Sequence, residues 1–136
     1  MSNHMSDYLE IKLLDRLLKN TAWTSPTSVY VALYTTSPTD AGGGTEVASG
    51  NGYSRQTMTG GWTVSSGGSS TRAYNTSAVT FSPCSTSSWG TVVAVGILDA
   101  ASSGNLLFYG PLSANRTVEV GDVFSFPANS LGVTLT

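Results

Sequence analysis

Residues that could perform catalysis are few in this chain and are not grouped. The sequence has one histidine, His4, and one cysteine, Cys84. A hydrolytic site needs a nucleophile beside a base, and a zinc site needs several His or Cys ligands at short spacing. Neither pattern occurs, and the glycines at residues 42–44 are not followed by the lysine of a phosphate-binding loop. The sequence therefore predicts a non-enzymatic protein with no catalytic residue, no cofactor and no metal ion.

Four carboxylates occur in segments that are typical of turns: Asp40, Glu46, Asp99 and Asp122. Acidic side chains in turns usually accept hydrogen bonds from their own backbone, and we expect that role here. A calcium site built from loop carboxylates is the alternative. A glycosidase would need two carboxylates facing each other across a cleft, and nothing in the spacing favours such a pair.

Tryptophan residues offer a second kind of chemistry, because their faces stack on apolar faces of sugars. Trp89 stands beside Gly90 at the start of an apolar run, which favours a core position. Trp62 lies in a Gly-rich polar segment, where contact with a partner and packing in the core are both open. A lone Cys84 excludes an internal disulfide, and we expect it to be partly buried.

Composition limits the possible partners. Of the 136 residues only 10% are charged, and the net charge is −2. Nucleic-acid binding requires clustered Lys and Arg, and the chain has six in total, so we expect no nucleic-acid partner. No apolar run approaches the ~20 residues that span a bilayer, so we expect no membrane partner, and no secretory signal is visible. A Ser/Thr-rich surface of low charge suits contact with copies of the chain or with other subunits.

One helix is predicted at residues 7–19, with Ser6 as its N-cap. Ile11, Leu14 and Leu18 recur at helical spacing, and we expect this stripe to pack against a sheet as part of the core. Asn20 suits a left-handed turn that ends the helix. Residues 1–6 are predicted to be a terminal tail, with residues 1–5 an expression remnant or an alternative start.

The rest of the chain is predicted to form short strands in one domain, residues 7–136. The strand at 29–35 is apolar on both faces and should be central, and Gly96 should mark a bulge or a close approach in the strand at 91–98. Gly121 and Asp122 are typical of a hairpin turn between strands at residues 117–120 and 123–126, and the alternative is one strand that the pair interrupts. Other strands are expected at residues 53–58, 73–81, 105–109 and 131–135, with long loops at 37–52 and 60–71. The fold class is a mainly β, antiparallel β-sandwich or jelly roll with one N-terminal α-helix.

Several segments together resemble those of a known family. They are residues 29–38 (VYVALYTTSP), 52–55 (GYSR), 79–81 (VTF), 89–92 (WGTV), 96–100 (GILDA), 104–108 (GNLLF) and 121–122 (GD). In their order and spacing they resemble small virion structural proteins of tailed bacteriophages, of the kind described as tail-fibre-like. The resemblance implies a β-rich virion component synthesised in the bacterial cytoplasm.

The chain has no repeats and no heptads beyond its one helix, so it predicts a knob rather than a fibre shaft. Small β knobs of phage particles resemble capsid decoration (cement) proteins, and this resemblance implies a protein of the capsid exterior that forms a homotrimer and binds the major capsid protein. The alternative is a knob of the tail fibre or tail tip that binds a glycan of the host surface. The residues predicted to contact partners are Asp40, Gly43, Glu46, Asn51, Trp62, Ser66 and Ser69. The N-terminal segment 1–8 is a further candidate for such contact.

Overall fold

The structure is a computed structural model that describes residues 3–135. Within them lie one helix, α1 (Asp7–Leu18), and eleven strands. The strands are β1 (His4–Met5), β2 (Val29–Thr36), β3 (Thr45–Glu46), β4 (Gln56–Met58), β5 (Trp62–Gly67), β6 (Ser70–Asn75), β7 (Val79–Thr80), β8 (Gly90–Leu98), β9 (Leu106–Val118), β10 (Ser125–Phe126) and β11 (Gly132–Leu135). Of the predicted tail, Met1 and Ser2 lie outside the described residues, and β1 occupies part of the remainder.

The largest sheet is antiparallel and is built around β2 and β8. Its order is β1-β9-β8-β2-β3, and β4 also pairs with β2. Val31 and Leu33 of β2 face the larger core cluster, whereas Ala32 and Tyr34 face a smaller cluster on the other side. The prediction of a central strand at residues 29–35 that is covered on both faces is therefore confirmed.

Two smaller antiparallel sheets complete the domain. One has the order β11-β6-β5, and the other pairs β10 with β7. Aromatic rings fill the larger core, where Phe81 lies at 6.0 Å from both Tyr53 and Phe124, measured between ring centroids, and Trp89 packs edge-on against Tyr53. The mainly β fold with a sandwich-like core and an N-terminal helix is confirmed. The strand order does not confirm the jelly-roll alternative.

The helix begins and ends close to the predicted residues. The Ser6 hydroxyl accepts a hydrogen bond from the Leu9 backbone N–H, which confirms the N-cap, and Lys19 is the C-cap. Asn20 has a φ of 54°, the left-handed conformation expected where the helix ends.

The predicted core position of the helix stripe was wrong. Ile11 and Leu14 are each 57% exposed, and Leu18 is 78% exposed. Leu9 is the buried residue of the helix. With about 100° between successive residues, Leu9 lies roughly opposite Ile11 and Leu18. Because Leu9 is buried against the domain, the stripe of Ile11, Leu14 and Leu18 faces away from the domain.

Two other local predictions were wrong. Residues 60–71 are not a loop, because Trp62–Gly67 pairs with Ser70–Asn75 in a β-hairpin that turns at Gly68. Residues 117–126 are not a hairpin, because Gly90 of β8 pairs with Val118 and β10 pairs instead with β7. In both cases the distant strand partner, which local composition does not reveal, decides the pairing.

The predicted strand at 73–81 is interrupted at Asn75, which is fully buried. Its side-chain amide donates to the carbonyl oxygens of Ser77 (2.8 Å) and Pro127 (3.0 Å), and its side-chain oxygen accepts from the Leu131 N–H (2.9 Å). These bonds hold the chain in a turn between β6 and β7.

Gly96 marks a close approach in β8, as predicted. A Cβ at this position would lie 2.7 Å from Tyr34 Cε2 and 3.1 Å from Leu106 Cδ1. Both neighbours are buried, so neither has space into which to move.

We expect Gly96→Ala to lower the free energy of unfolding by about 1–3 kcal/mol, because the added methyl group overpacks the core. Chemical denaturation measures the change. Gly67→Ala is the matched control, because it is also a strand glycine and its Cβ would meet nothing within 4 Å. Equal effects of the two substitutions would contradict the packing explanation.

Candidate functional site

The seven predicted contact residues lie on two separate parts of the fold. Asp40, Gly43, Glu46 and Asn51 belong to the segment between β2 and β4, while Trp62, Ser66 and Ser69 belong to the β5–β6 hairpin. Gly43, Ser66 and Ser69 are exposed, whereas Glu46, Asn51 and Trp62 are half-buried. The internal hydrogen bonds and packing of each residue decide which of its atoms remain available to a partner.

Asp40 ties its loop to the start of the helix and to β9. Its backbone oxygen accepts a hydrogen bond from the Asp7 N–H at 2.8 Å, and its carboxylate accepts one from the Tyr109 hydroxyl. The hydrogen bond to the carboxylate, with a smaller contribution from burial, raises the pKa of Tyr109 to about 12. His4 of β1 stacks on the Tyr109 ring at 5.1 Å between centroids. The N-terminal segment is thus held against the sheet at this point.

Glu46 lies in a denser network with Arg55. The guanidinium donates through Nε to Glu46 Oε2 (2.9 Å) and through Nη2 to Glu46 Oε1 (2.8 Å). Its Nη1 donates to the backbone oxygens of Ala100 (2.7 Å) and Ser103 (2.8 Å). Only 8% of the Arg55 side chain and 25% of the Glu46 side chain are exposed. One arginine therefore joins β3 to the turn at residues 100–103, which lies far from it in the sequence.

The same network closes a gap at the edge of β2. On that edge β4 pairs with Val29–Val31 and β3 pairs further along, which leaves the Leu33 N–H without a strand partner. The Tyr53 hydroxyl accepts from this N–H at 3.0 Å and donates to Glu46 Oε2 at 2.6 Å. Leu33 is fully buried, so its N–H would otherwise be unsatisfied.

The network shifts the acid–base behaviour of its members. Burial opposes ionisation of Glu46, but the hydrogen bonds from Arg55 and Tyr53 and the charge of Arg55 outweigh it and lower the pKa of the carboxyl group. Burial, together with the adjacent Glu46 carboxylate, raises the pKa of Tyr53 far above its usual range. At neutral pH the pair is therefore a carboxylate and a neutral phenol, whose O–H donates to the carboxylate.

Asn51 also serves the fold through its backbone. Its carbonyl oxygen accepts hydrogen bonds from Trp89 Nε1 (2.7 Å) and from the Ser85 N–H (2.9 Å). Trp89 is buried in the larger core cluster, which confirms the predicted core position. These bonds fix the end of the loop that contains Gly43 and Glu46.

The hairpin places its three predicted contact residues differently. Trp62 lines an apolar groove of about 210 Å³ together with Val29, Ala73, Leu107 and Val133. Ser66 lies near the exposed tip at the end of β5, and Ser69 lies in the turn itself. A sugar-binding site needs polar groups that orient the hydroxyls as well as an aromatic face. The groove beside Trp62 offers an apolar surface without such groups.

A second groove, which the sequence did not reveal, lies beside a bulge in β9. Ala94 pairs with Pro111 and Val92 pairs with Arg116, so that Val93 alone faces residues 112–115. The bulge and residues 124–130 enclose about 210 Å³, lined by both apolar and polar atoms. Arg116 is the one charged residue of this lining, and Ser113, Ser125 and Ser130 contribute hydroxyls. In the sequence, the feature that could have pointed to this groove is Arg116, a single basic residue among small polar residues.

The predicted hydrogen bonds from the turn backbone are confirmed for Asp99 and Asp122, but the prediction was wrong for Asp40 and Glu46, whose carboxylates accept from the side chains of Tyr109, Tyr53 and Arg55. Asp99 accepts from the Asn105 backbone N–H at 2.7 Å, and Asp122 accepts from the Glu119 N–H at 2.9 Å. Across residues 3–135, no group of three or more His, Cys, Asp or Glu side chains is arranged to hold a metal ion. No helix in the same range is long and apolar enough to cross a membrane.

Comparison with known proteins identifies the class and then the family. The sequence comparison places the chain among the small structural proteins of tailed-phage virions. The chain belongs to the family described as podophage GP4 fiber I protein gp80, whose sequence profile matches residues 4–134. No curated protein matches this chain. A location in the virion follows from the family.

Removing the Glu46 charge tests the role of the network. We expect Glu46→Gln to lower the free energy of unfolding by about 2–4 kcal/mol at pH 7, because Arg55 would keep its charge in a largely buried position. Because the folded-state pKa of Glu46 is lowered, its contribution is present above the ordinary Glu pKa and is lost as pH falls through the folded value. Urea titrations at pH 7 and at acidic pH should show this acid-dependent loss in the wild type but not in the variant.

Asp15→Asn is the matched control, because it breaks the exposed pair with Lys19 at 3.5 Å. We expect it to change stability by less than about 0.5 kcal/mol. A Glu46→Gln variant as stable as this control would contradict the structural role of the network.

Proposed function

We propose that the protein is a non-enzymatic structural subunit of the phage particle that acts by binding copies of itself and a neighbouring virion protein. The observation that carries the proposal is the family match, which spans residues 4–134 and so covers nearly the whole described domain. The structure supports the same view, because its most polar side-chain network, around Glu46 and Arg55, is engaged in internal hydrogen bonds.

Two placements in the particle are compatible with this role. Capsid decoration, with the major capsid protein as partner, is supported by the low charge and by the exposed Gly43 loop and hairpin tip. Placement in a fibre is supported by the description of the family, which names a fibre protein. In either placement the protein would bridge neighbouring subunits, and many weak symmetric contacts would add up.

Binding to particles that lack the protein separates these placements. Purified protein would be mixed with such particles, sedimented, and imaged by cryo-electron microscopy. The proposal expects co-sedimentation, with density on the capsid lattice for decoration or on the tail for a fibre. Failure to bind either structure, while the protein remains folded, would contradict the proposed role.

A specific observation favours a second function, recognition of an acidic glycan on the host surface. Arg116 lies in a groove that has no carboxylate in its lining, and among the described residues it forms no ion pair. A guanidinium can hold a sugar carboxylate by charge-assisted hydrogen bonds, with the Ser113 hydroxyl nearby, since the Ser125 and Ser130 hydroxyls bond internally to Thr80 and Pro127. The volume of about 210 Å³ suits one sugar ring rather than a long oligosaccharide.

Galacturonic acid oligosaccharides, compared with neutral galactose oligosaccharides, test this second function by calorimetry. We expect binding of the acidic sugar alone, and a loss of about 1.5–3 kcal/mol of binding free energy in Arg116→Ala. Arg16→Ala, on the helix, is the matched control and should bind as the wild type does. Equal binding of acidic and neutral sugars, or no loss in Arg116→Ala, would contradict the assignment.

A further inference from the structure

The helix presents an apolar surface that its own domain does not cover. Ile11 and Leu14 are 57% exposed, Leu17 is 76% exposed and Leu18 is 78% exposed. We call these four side chains the α1 stripe. Together they expose about 500 Å² of apolar surface, which is near the upper end of the ~300–600 Å² that the largest patch of a monomer exposes.

The anchoring of the helix prevents the domain from covering the α1 stripe. Just before the helix, the Ser6 N–H donates to the Leu107 backbone oxygen at 2.9 Å, and the Ser6 hydroxyl donates to the Leu106 backbone oxygen. Leu9 is buried on the side of the helix that faces the domain. A rotation that buried the α1 stripe would expose Leu9, so only another molecule could cover this surface without exposing Leu9.

We propose that the α1 stripe is the surface through which copies of this chain associate, helix against helix. Ile11, Leu14 and Leu18 follow the alternating spacing of three and four residues that forms the seam between packed helices. The α1 stripe would be the surface for the self-association that the proposed function includes, and the inference rests on that part of it. The identity of the other virion partner does not affect it.

Area and charge both suit a second copy. Two fully facing stripes would bury at most about 1,000 Å², which is at the lower limit for a specific interface and suits association of many copies in a particle. The helix and its cap have three acidic residues, Asp7, Glu10 and Asp15, and three basic residues, Lys12, Arg16 and Lys19. The helix therefore has no net charge that would repel an identical helix.

The test compares the solution mass of the full chain with that of the double variant Leu14→Glu/Leu18→Glu. Both side chains are already exposed in the single chain, and Glu is a good helix former, so the fold should remain intact. The control is Val64→Glu/Val120→Glu, which adds the same charge at positions that are 69% and 57% exposed elsewhere. Analytical ultracentrifugation measures mass, and far-ultraviolet circular dichroism checks the fold.

The proposal expects an oligomeric wild type and an oligomeric control, with the helix variant reduced to folded monomers. A monomeric wild type would overturn it, as would a helix variant that keeps the mass of the wild type. Loss of the oligomer in the control as well would place the interface elsewhere and also overturn it. Failure here would leave binding to particles unaffected, so it is distinguishable from failure of the proposed function.

Discussion

One largely buried ion pair holds an edge of the main sheet, because it joins Glu46 of β3 to Arg55 and, through Arg55, to the turn at residues 100–103. Arg55 binds Glu46 through two nitrogens and reaches two backbone oxygens of the turn at residues 100–103, while Tyr53 extends the network to β2. Two short strands leave a break along one edge of β2, and the Tyr53 hydroxyl fills it. A buried ion pair is a weak source of stability in itself, but here it specifies one arrangement of flexible Gly-rich segments. The loops are consequently part of the framework.

The side chains that hold the domain together are distinct from the surfaces that are available to a partner. The carboxylate of Asp40, the network around Glu46 and the backbone of Asn51 are engaged internally. The α1 stripe, the hairpin tip and the groove at Arg116 are outside that framework. A virion subunit needs such a division, because a rigid domain loses little freedom when it binds, and each weak contact then contributes more to assembly.

The sequence was informative where structure is decided locally. Ser6 as N-cap, Asn20 after the helix, and β2 as a central strand all follow from residue types and spacing. The β5–β6 hairpin was missed because its Ser and Gly content resembles a loop, although its pairing with β11 makes it a sheet. The amphipathic pattern of the helix identified an apolar face but not what covers it.

The contacts at the candidate sites could not be predicted from the sequence. Nothing in the spacing of Glu46 and Arg55 shows that they meet the turn at residues 100–103. The position of Arg116 in a groove depends on a bulge that only the pairing of β8 with β9 reveals.

We propose a structural subunit of the phage particle whose copies meet through their helices. High-resolution cryo-electron microscopy of the intact virion tests it most directly. We expect density for several copies of the β domain at one site of the particle, with the α1 stripes of neighbouring copies in contact. Particles that lack the protein, or copies whose α1 stripes face solvent, would contradict it.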